Sequence, residues 1–142
     1  MIGRRTYEGF AAAWPGRDGE FAEKMNAMPK FVLTSTLTEP GWTNTTFLRG
    51  DVAEEVAALK DSDGYGPLLV VGSRELVHTL YECDLVDEHR LMVFPVVLGS
   101  GLRLFPDDAQ NLTELTETGF RRFDNGVVVH TYRPEGPAVS ED

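Results

Sequence analysis

Cysteine is almost missing from this sequence: Cys83 is the single one in 142 residues. No internal disulfide can form and no second thiol completes a zinc pair, so a reducing, cytoplasmic setting is the expectation. Positive charge is scarce as well, with 13 Lys and Arg against 23 Asp and Glu and a formal charge of -10. A general field drawing in nucleic acid or an anionic membrane is not expected, and any bound anion must be held by local cations or backbone amides. Long apolar runs are lacking too. The longest, LMVFPVVL from Leu91 to Leu98, is far below spanning length and contains a proline, and MIGRRTYEGF at the start holds no apolar signal core.

Several motifs are also absent. There is no G-x-G-x-x-G, no P-loop and no G-x-S-x-G. His78, His89 and His130 are scattered without metal-ligand spacing, so no metal site is expected. Cys83 lies between Glu82 and Asp84, whose charges oppose a thiolate and make it a spectator. Asp84, Asp87 and Glu88 flank the start of a strand and read as a solvated loop, not an acid/base pair.

What is present fits one α/β domain with a mixed sheet. Thr6 is placed to cap a helix whose Tyr7, Phe10, Ala11 and Trp14 share a face until Pro15-Gly16. EFAEKMNAM is a second amphipathic piece, with Phe21, Met25 and Met28 on one side. KFVLTSTL and TTFL read as strands, and Asp51 with Glu54 makes a capping-box pattern ahead of a helix buried through Val52, Val56 and Leu59. PLLVV, apolar without alternation, predicts a strand covered on both faces, followed by a helix from Gly72-Ser73 with Leu76, Val77, Leu80 and Tyr81 inward. His89 to Leu98 predicts another strand, and Asp124-Asn125-Gly126 the turn of a C-terminal antiparallel hairpin. The tail, residues 135–142, is expected to be disordered.

Three strand-end junctions carry the chemistry. LLVVGSREL joins a strand, a glycine, a serine and a helix start, which offers backbone amides and a helix dipole to a phosphate. Thr34-Ser35-Thr36 closes a strand with three hydroxyls, able with nearby arginines to hold a 2′-phosphate that a carboxylate there would repel. Gly3-Arg4-Arg5-Thr6 is the third. Read alone, each is also what an ordinary polar turn or helix cap shows. Read together they point to one edge of an open α/β sheet, where ligands bind at the strand ends. The strand from His89 has no acidic residue at its far end to hold a ribose 2′-hydroxyl, which disfavours a standard NAD site.

GRRTYEGFAAAWP, KFVLTSTL, GDVAEEVAALK, LLVVGSREL and above all LVDEHRLMVFPVVLGSGLRLFP resemble the dihydrofolate-reductase-like fold and, within it, the bacterial riboflavin-biosynthesis reductase branch. The resemblance covers residues 2 to about 133. It implies a three-layer αβα domain over 1–134, with a mostly parallel central sheet and the C-terminal hairpin. It implies an NADPH-dependent reductase passing a hydride to a small heterocyclic or sugar-derived substrate, with a non-catalytic nucleotide-binding or oligomerising module as the alternative.

Position by position, the resemblance implies that Gly3, Arg4, Arg5 and Thr6 contact the cofactor's phosphates. Thr34, Ser35 and Thr36 would hold its adenosine side, and Gly72, Ser73, Arg74, Glu75 and Leu76 its pyrophosphate. Phe94, Pro95, Gly99, Ser100 and Gly101 would line the substrate pocket. A homodimer is implied too, and no proton donor is identified. Members of the family carry a strand, a loop and a helix ahead of G-R-R-T that this sequence lacks, so the expectation is either that another segment or chain fills that place or that this sequence is a shortened form.

Overall fold

The computed structural model describes residues 1–105 and 113–135, so the tail beyond Glu135 lies outside the described residues. The chain divides into two compact units, Met1–Cys83 and Asp84–Asp142.

The first unit is built on three parallel strands in the order β1-β2-β3, with β1 at Ile2–Gly3, β2 at Lys30–Leu33 and β3 at Thr45–Leu48. Ile2 stands opposite Val32 and Gly3 opposite Leu33, while Leu33 faces Leu48 on the other side. The three carboxyl ends therefore lie along one edge. Helices α1 (Arg4–Ala13) and α2 (Glu20–Ala27) connect β1 to β2, which is how parallel neighbours must be joined. Ile2, Tyr7, Val32 and Trp42 form the core, with Phe10, Ala11, Trp14, Met25, Leu37 and Phe47 packed around it. Tyr7 meets Phe47 edge to face at 5.7 Å, and its hydroxyl accepts from the amides of Gly41 and Trp42 at 3.0 and 3.2 Å. A buried ring thus keeps its polar end satisfied and pins the loop before β3.

The sequence placed α1 correctly but not its cap. Gly3 is the N-cap, and Thr6 lies inside the helix because the strand runs directly into it. In α2 the buried residue is Ala22; Phe21 is 65% exposed, its ring edge-on to Trp14 at 5.3 Å beyond the end of α1, while Met25 and Met28 are half-buried. Helix α3 (Val52–Lys60) has the expected cap, Asp51 accepting from Ala53 and Glu54 at 2.9 and 3.2 Å, and Val56 is buried. The glutamate that reaches back is Glu55, to the Gly50 amide at 2.9 Å. Helix α4 (Arg74–Glu82) buries Leu76 and Leu80, with Val77 and Tyr81 half-buried.

PLLVV does not form the strand its composition predicts. Among the described residues its backbone bonds only to Met1, whose nitrogen donates to the Leu69 carbonyl at 2.6 Å and whose carbonyl accepts from the Val71 amide at 3.4 Å. Two bonds to one residue make no ladder, and Leu69 is left 57% exposed.

The second unit is an antiparallel sheet in the order β4-β6-β5, with β4 at His89–Val93, β5 at Leu115–Arg122 and β6 at Val128–Pro134. The hairpin turns where expected. Gly126 has φ +83°, its amide donates to the Phe123 carbonyl at 2.9 Å, and Asn125 accepts from the Val127 amide at 3.1 Å. β4 is shorter than predicted: it stops at Val93, because Pro95 has no N–H for a ladder and Val96 turns back to the Phe94 carbonyl at 2.8 Å. Past that point Val97 is 98% exposed. The α/β class with parallel strands and a C-terminal antiparallel hairpin is as the sequence indicated. No helix among the described residues is long and apolar enough to cross a membrane.

Candidate functional site

Two of the three junctions are joined directly. Ser73 Oγ accepts from the Gly3 amide at 2.6 Å and donates to Thr6 Oγ1 at 2.8 Å. This fastens the start of α1 to the start of α4. Ser73 is the N-cap residue of α4, as the sequence suggested, but its hydroxyl does not cap its own helix. Gly3 likewise caps α1 without a side chain. Neither α1 nor α4 is therefore capped by the side chain of its own N-cap residue, and free first-turn amides of this kind attract an anion.

Backbone geometry explains the small residues. A Cβ on Gly3 would stand 3.3 Å from Ser73 Oγ and 3.4 Å from Ser73 Cβ, so only glycine lets the strand end come this close without displacement. Gly72 has φ +61°, and Ser73 follows at φ 64°, ψ 64°. A serine in the left-handed region is strained by roughly 1–2 kcal/mol, and its two hydrogen bonds offset that cost. Such strain concentrates at sites where backbone must approach a ligand.

The third junction borders the first, since Gly3 and Leu33 are ladder partners and Thr34 follows at once. Thr34 is buried, with its amide on the Leu48 carbonyl at 3.1 Å and its hydroxyl accepting from Thr36 and Leu37 amides at 3.3 and 3.2 Å. Its role is to shape the turn; Ser35 and Thr36 are exposed. Arg4 makes an exposed ion pair with Glu8 at 3.3 Å, of the kind worth little, and Arg5 is exposed with no partner among the described residues. Arg74, Glu75 and Leu76 form the first turn of α4, Leu76 buried and the other two exposed.

Arg49 belongs with this group and went unnoticed in the sequence. It follows β3 directly, is exposed, and donates to the Leu37 carbonyl beside the Thr34–Leu37 turn. An arginine closing the strand TTFL just before Gly50-Asp51 is the signal that would have found it.

Phe94, Pro95, Gly99, Ser100 and Gly101 belong to the second unit, along the exposed stretch after β4. Gly99 has φ +77°, and Pro95 Cγ lies 3.2 Å from where a Cβ on Gly126 would be, so the hairpin turn and the proline meet. Two cavities of the first unit, of about 690 and 370 Å³, lie at the amino ends of the strands, around Trp42, Thr45 and Tyr65 and around Ile2, Phe31 and Leu69. In the strand-end group Arg4, Arg5, Ser35, Thr36 and Arg49 are exposed, Gly3, Thr6 and Ser73 are half-buried, and Thr34 is buried. Among the described residues no three His, Cys, Asp or Glu stand together as metal ligands would.

A parallel sheet with helix starts, glycines and hydroxyls along its carboxyl edge, together with a C-terminal antiparallel sheet, defines the dihydrofolate-reductase-like class of α/β proteins. Within it the chain belongs to the RibD C-terminal domain family, whose profile matches residues 1–129. It is 30% identical to the uncharacterized protein YyaP of Bacillus subtilis (strain 168), over 96% of this chain and 73% of that one. YwjB of the same organism, also uncharacterized, is 34% identical over 63% of this chain and 51% of its own length. A crystal structure described as a riboflavin biosynthesis protein, from Shewanella sp. PV-4, aligns with TM-score 0.74 and 22% identity over 95% of this chain and 72% of that one. A pyrimidine reductase-like protein of Corynebacterium diphtheriae aligns with TM-score 0.63 and 10% identity over 96% and 75%.

Proposed function

We propose that the chain is an NADPH-dependent reductase domain that delivers a hydride to a small heterocyclic or sugar-derived substrate. The observation that carries this reading is the Gly3–Ser73–Thr6 junction, which holds two uncapped helix starts side by side. The residues fit a pyrophosphate. Gly72 carries no side chain over the junction, and no carboxylate among the described residues bonds to the first amides of α1 or α4. The 2′-phosphate would be held by Arg5, with Ser35, Thr36 and Arg49 at the neighbouring strand ends. Membership of the RibD C-terminal domain family supports the same cofactor.

NADPH, when bound, supplies the hydride. What the chain supplies is position: the α1 and α4 amides fix the phosphates, and the cations at the strand ends select the phosphorylated ribose. Phe94, Pro95 and the Gly99–Gly101 loop are the residues we assign to the substrate. Val96, Val97, Leu98 and Leu102, an exposed apolar stretch in the second unit, are the surface we assign to a homodimer. The single Cys83 supports a reducing, cytoplasmic setting.

The test is titration of the protein into NADPH and into NADH, followed by the nucleotide's own fluorescence. NADPH is expected to bind at least about tenfold more tightly, which corresponds to about 1.4 kcal/mol. Equal affinities would remove the 2′-phosphate assignment, and no binding of either would remove the reductase reading. Binding with no oxidation of NADPH by any pterin or aminopyrimidine would favour a nucleotide-binding module.

A further inference from the structure

β3 is the outer strand of the parallel sheet, with β2 on one side only. The Lys30 amide donates to the Asn44 carbonyl at 2.7 Å and the Thr34 amide to the Leu48 carbonyl at 3.1 Å. Successive residues of a strand turn their backbone groups to opposite sides, so Asn44, Thr46 and Leu48 face β2, while Thr45 and Phe47 face outward. The N–H and C=O of those two residues have no hydrogen-bond partner among the described residues.

Exposed edges are ordinarily guarded by charge, proline or a bulge. The edge strand β5 of the antiparallel sheet carries two of these devices, a register shift between Glu117 and Gly119 and the adjacent cations Arg121 and Arg122. β3 carries none. Its pairing with β2 is regular throughout, and no residue from Trp42 to Leu48 is charged or a proline. In a chain of formal charge -10, a neutral edge is where two copies meet with least repulsion.

The edge is also complementary to itself. The two outward residues stand on either side of Thr46, whose side chain is exposed. A twofold axis through Thr46 sets Thr45 against the partner's Phe47 and Phe47 against the partner's Thr45, both as hydrogen-bonded pairs of an antiparallel ladder. Every outward N–H then meets an outward C=O. Between these pairs Thr46 meets the partner's Thr46, a favourable cross-strand match, and Arg49 falls opposite the partner's Thr43, so no like charges oppose each other. The cavity of about 690 Å³ that Thr45 and Thr46 line has Trp42, Tyr65, Pro29 and Pro40 on its walls and no charged residue, and it adds aromatic and proline surface at the rim of this contact.

We propose that the outer edge of β3 is a docking surface for a second copy of this chain, whose own β3 pairs with it antiparallel about Thr46 and joins two three-stranded sheets into one. The contact is small, of the weak and reversible class. It uses other residues than the apolar stretch assigned to a homodimer above, and it needs no bound nucleotide.

Hydrogen exchange of the native chain at about 10 µM and at about 1 mM tests this. The Thr45 and Phe47 amides should exchange at least about threefold more slowly at the higher concentration, with the Thr46 and Leu48 amides, already bonded to β2, unchanged. Thr46→Lys sets two ammonium groups across the axis, and it should abolish that difference and lower the sedimentation mass at about 1 mM by about twofold. Exchange at Thr45 and Phe47 that is independent of concentration in the native chain would overturn the proposal, whether or not the lysine variant folds. A folded lysine variant that keeps the difference would overturn the pairing about Thr46.

Discussion

The Ser73 hydroxyl accepts the Gly3 amide hydrogen at 2.6 Å across 70 residues of sequence, and it does so from a left-handed backbone. One side chain thereby fixes where two helices start. Ser73→Ala should remove both of its bonds, leave the Gly3 amide without a protein partner, and cost about 1–2 kcal/mol. Ser73→Gly loses the same bonds but relieves the left-handed strain, so it should be less destabilising than alanine by about 1 kcal/mol. Urea midpoints of the two variants decide this; alanine equal to or better than glycine would refute the strain argument.

Gly72 tests whether the junction exists for a ligand. A Cβ there meets Thr6 atoms at 3.6 and 3.7 Å, which is ordinary contact, so the obstacle to a side chain is φ +61°. Gly72→Ala should cost about 1 kcal/mol of stability, with the fold intact, while a side chain over the exposed backbone weakens NADPH binding further. Gly72→Val should abolish binding. Unchanged NADPH affinity in a folded valine variant would show that nothing approaches the backbone at this point.

The arginines at the strand ends should separate by their present engagements. Arg5 is exposed without a partner among the described residues, whereas Arg4 is held to Glu8 and Arg49 to the Leu37 carbonyl. Arg5→Ala is expected to weaken NADPH by about 1.5–3 kcal/mol and NADH by less, as a charge-assisted contact to phosphate requires. Arg49→Ala should act in the same direction. Arg4→Ala should also weaken NADPH, with Glu8→Ala strengthening it slightly by freeing Arg4. Equal losses for the two nucleotides in the Arg5 variant would remove that residue from the 2′-phosphate.

These residues also show what sequence reveals and what it does not. Helix α1, the Asp51 cap and the Asn125-Gly126 turn were readable because local chemistry decides them: apolar spacing, a carboxylate before a helix, a residue pair that tolerates positive φ. The two glycine junctions were visible for the same reason. That Ser73 would abandon its own helix for Gly3 was not, since the bond exists only once β1 and α4 are side by side. PLLVV misled because composition reports what a segment can bury, whereas a strand also needs a neighbour of matching length, and among the described residues only Met1 offers it backbone bonds. Arg49 was overlooked because a lone arginine after a strand looks like any surface cation until the Thr34–Leu37 turn is placed beside it.

The second unit makes a prediction about acid. His89 opens β4, is buried, and has its ring edge-on to Phe105 at 5.9 Å. Burial holds its imidazole below the ordinary 6.5, so the folded state favours the neutral ring. As pH falls below 6.5 the unfolded chain takes up a proton that the folded chain refuses, and stability drops until the folded value is passed; above 6.5 the group contributes no slope. Glu88 acts in a separate window. Its hydrogen bond to Arg90 holds the carboxyl below the ordinary 4.5, so whatever it adds is present above 4.5 and lost only in stronger acid. Urea midpoints measured between about pH 7.5 and about pH 5 should therefore fall in the native chain and fall less in His89→Gln, whose side chain cannot take the proton. A slope unchanged by that substitution would place the acid sensitivity elsewhere in the fold.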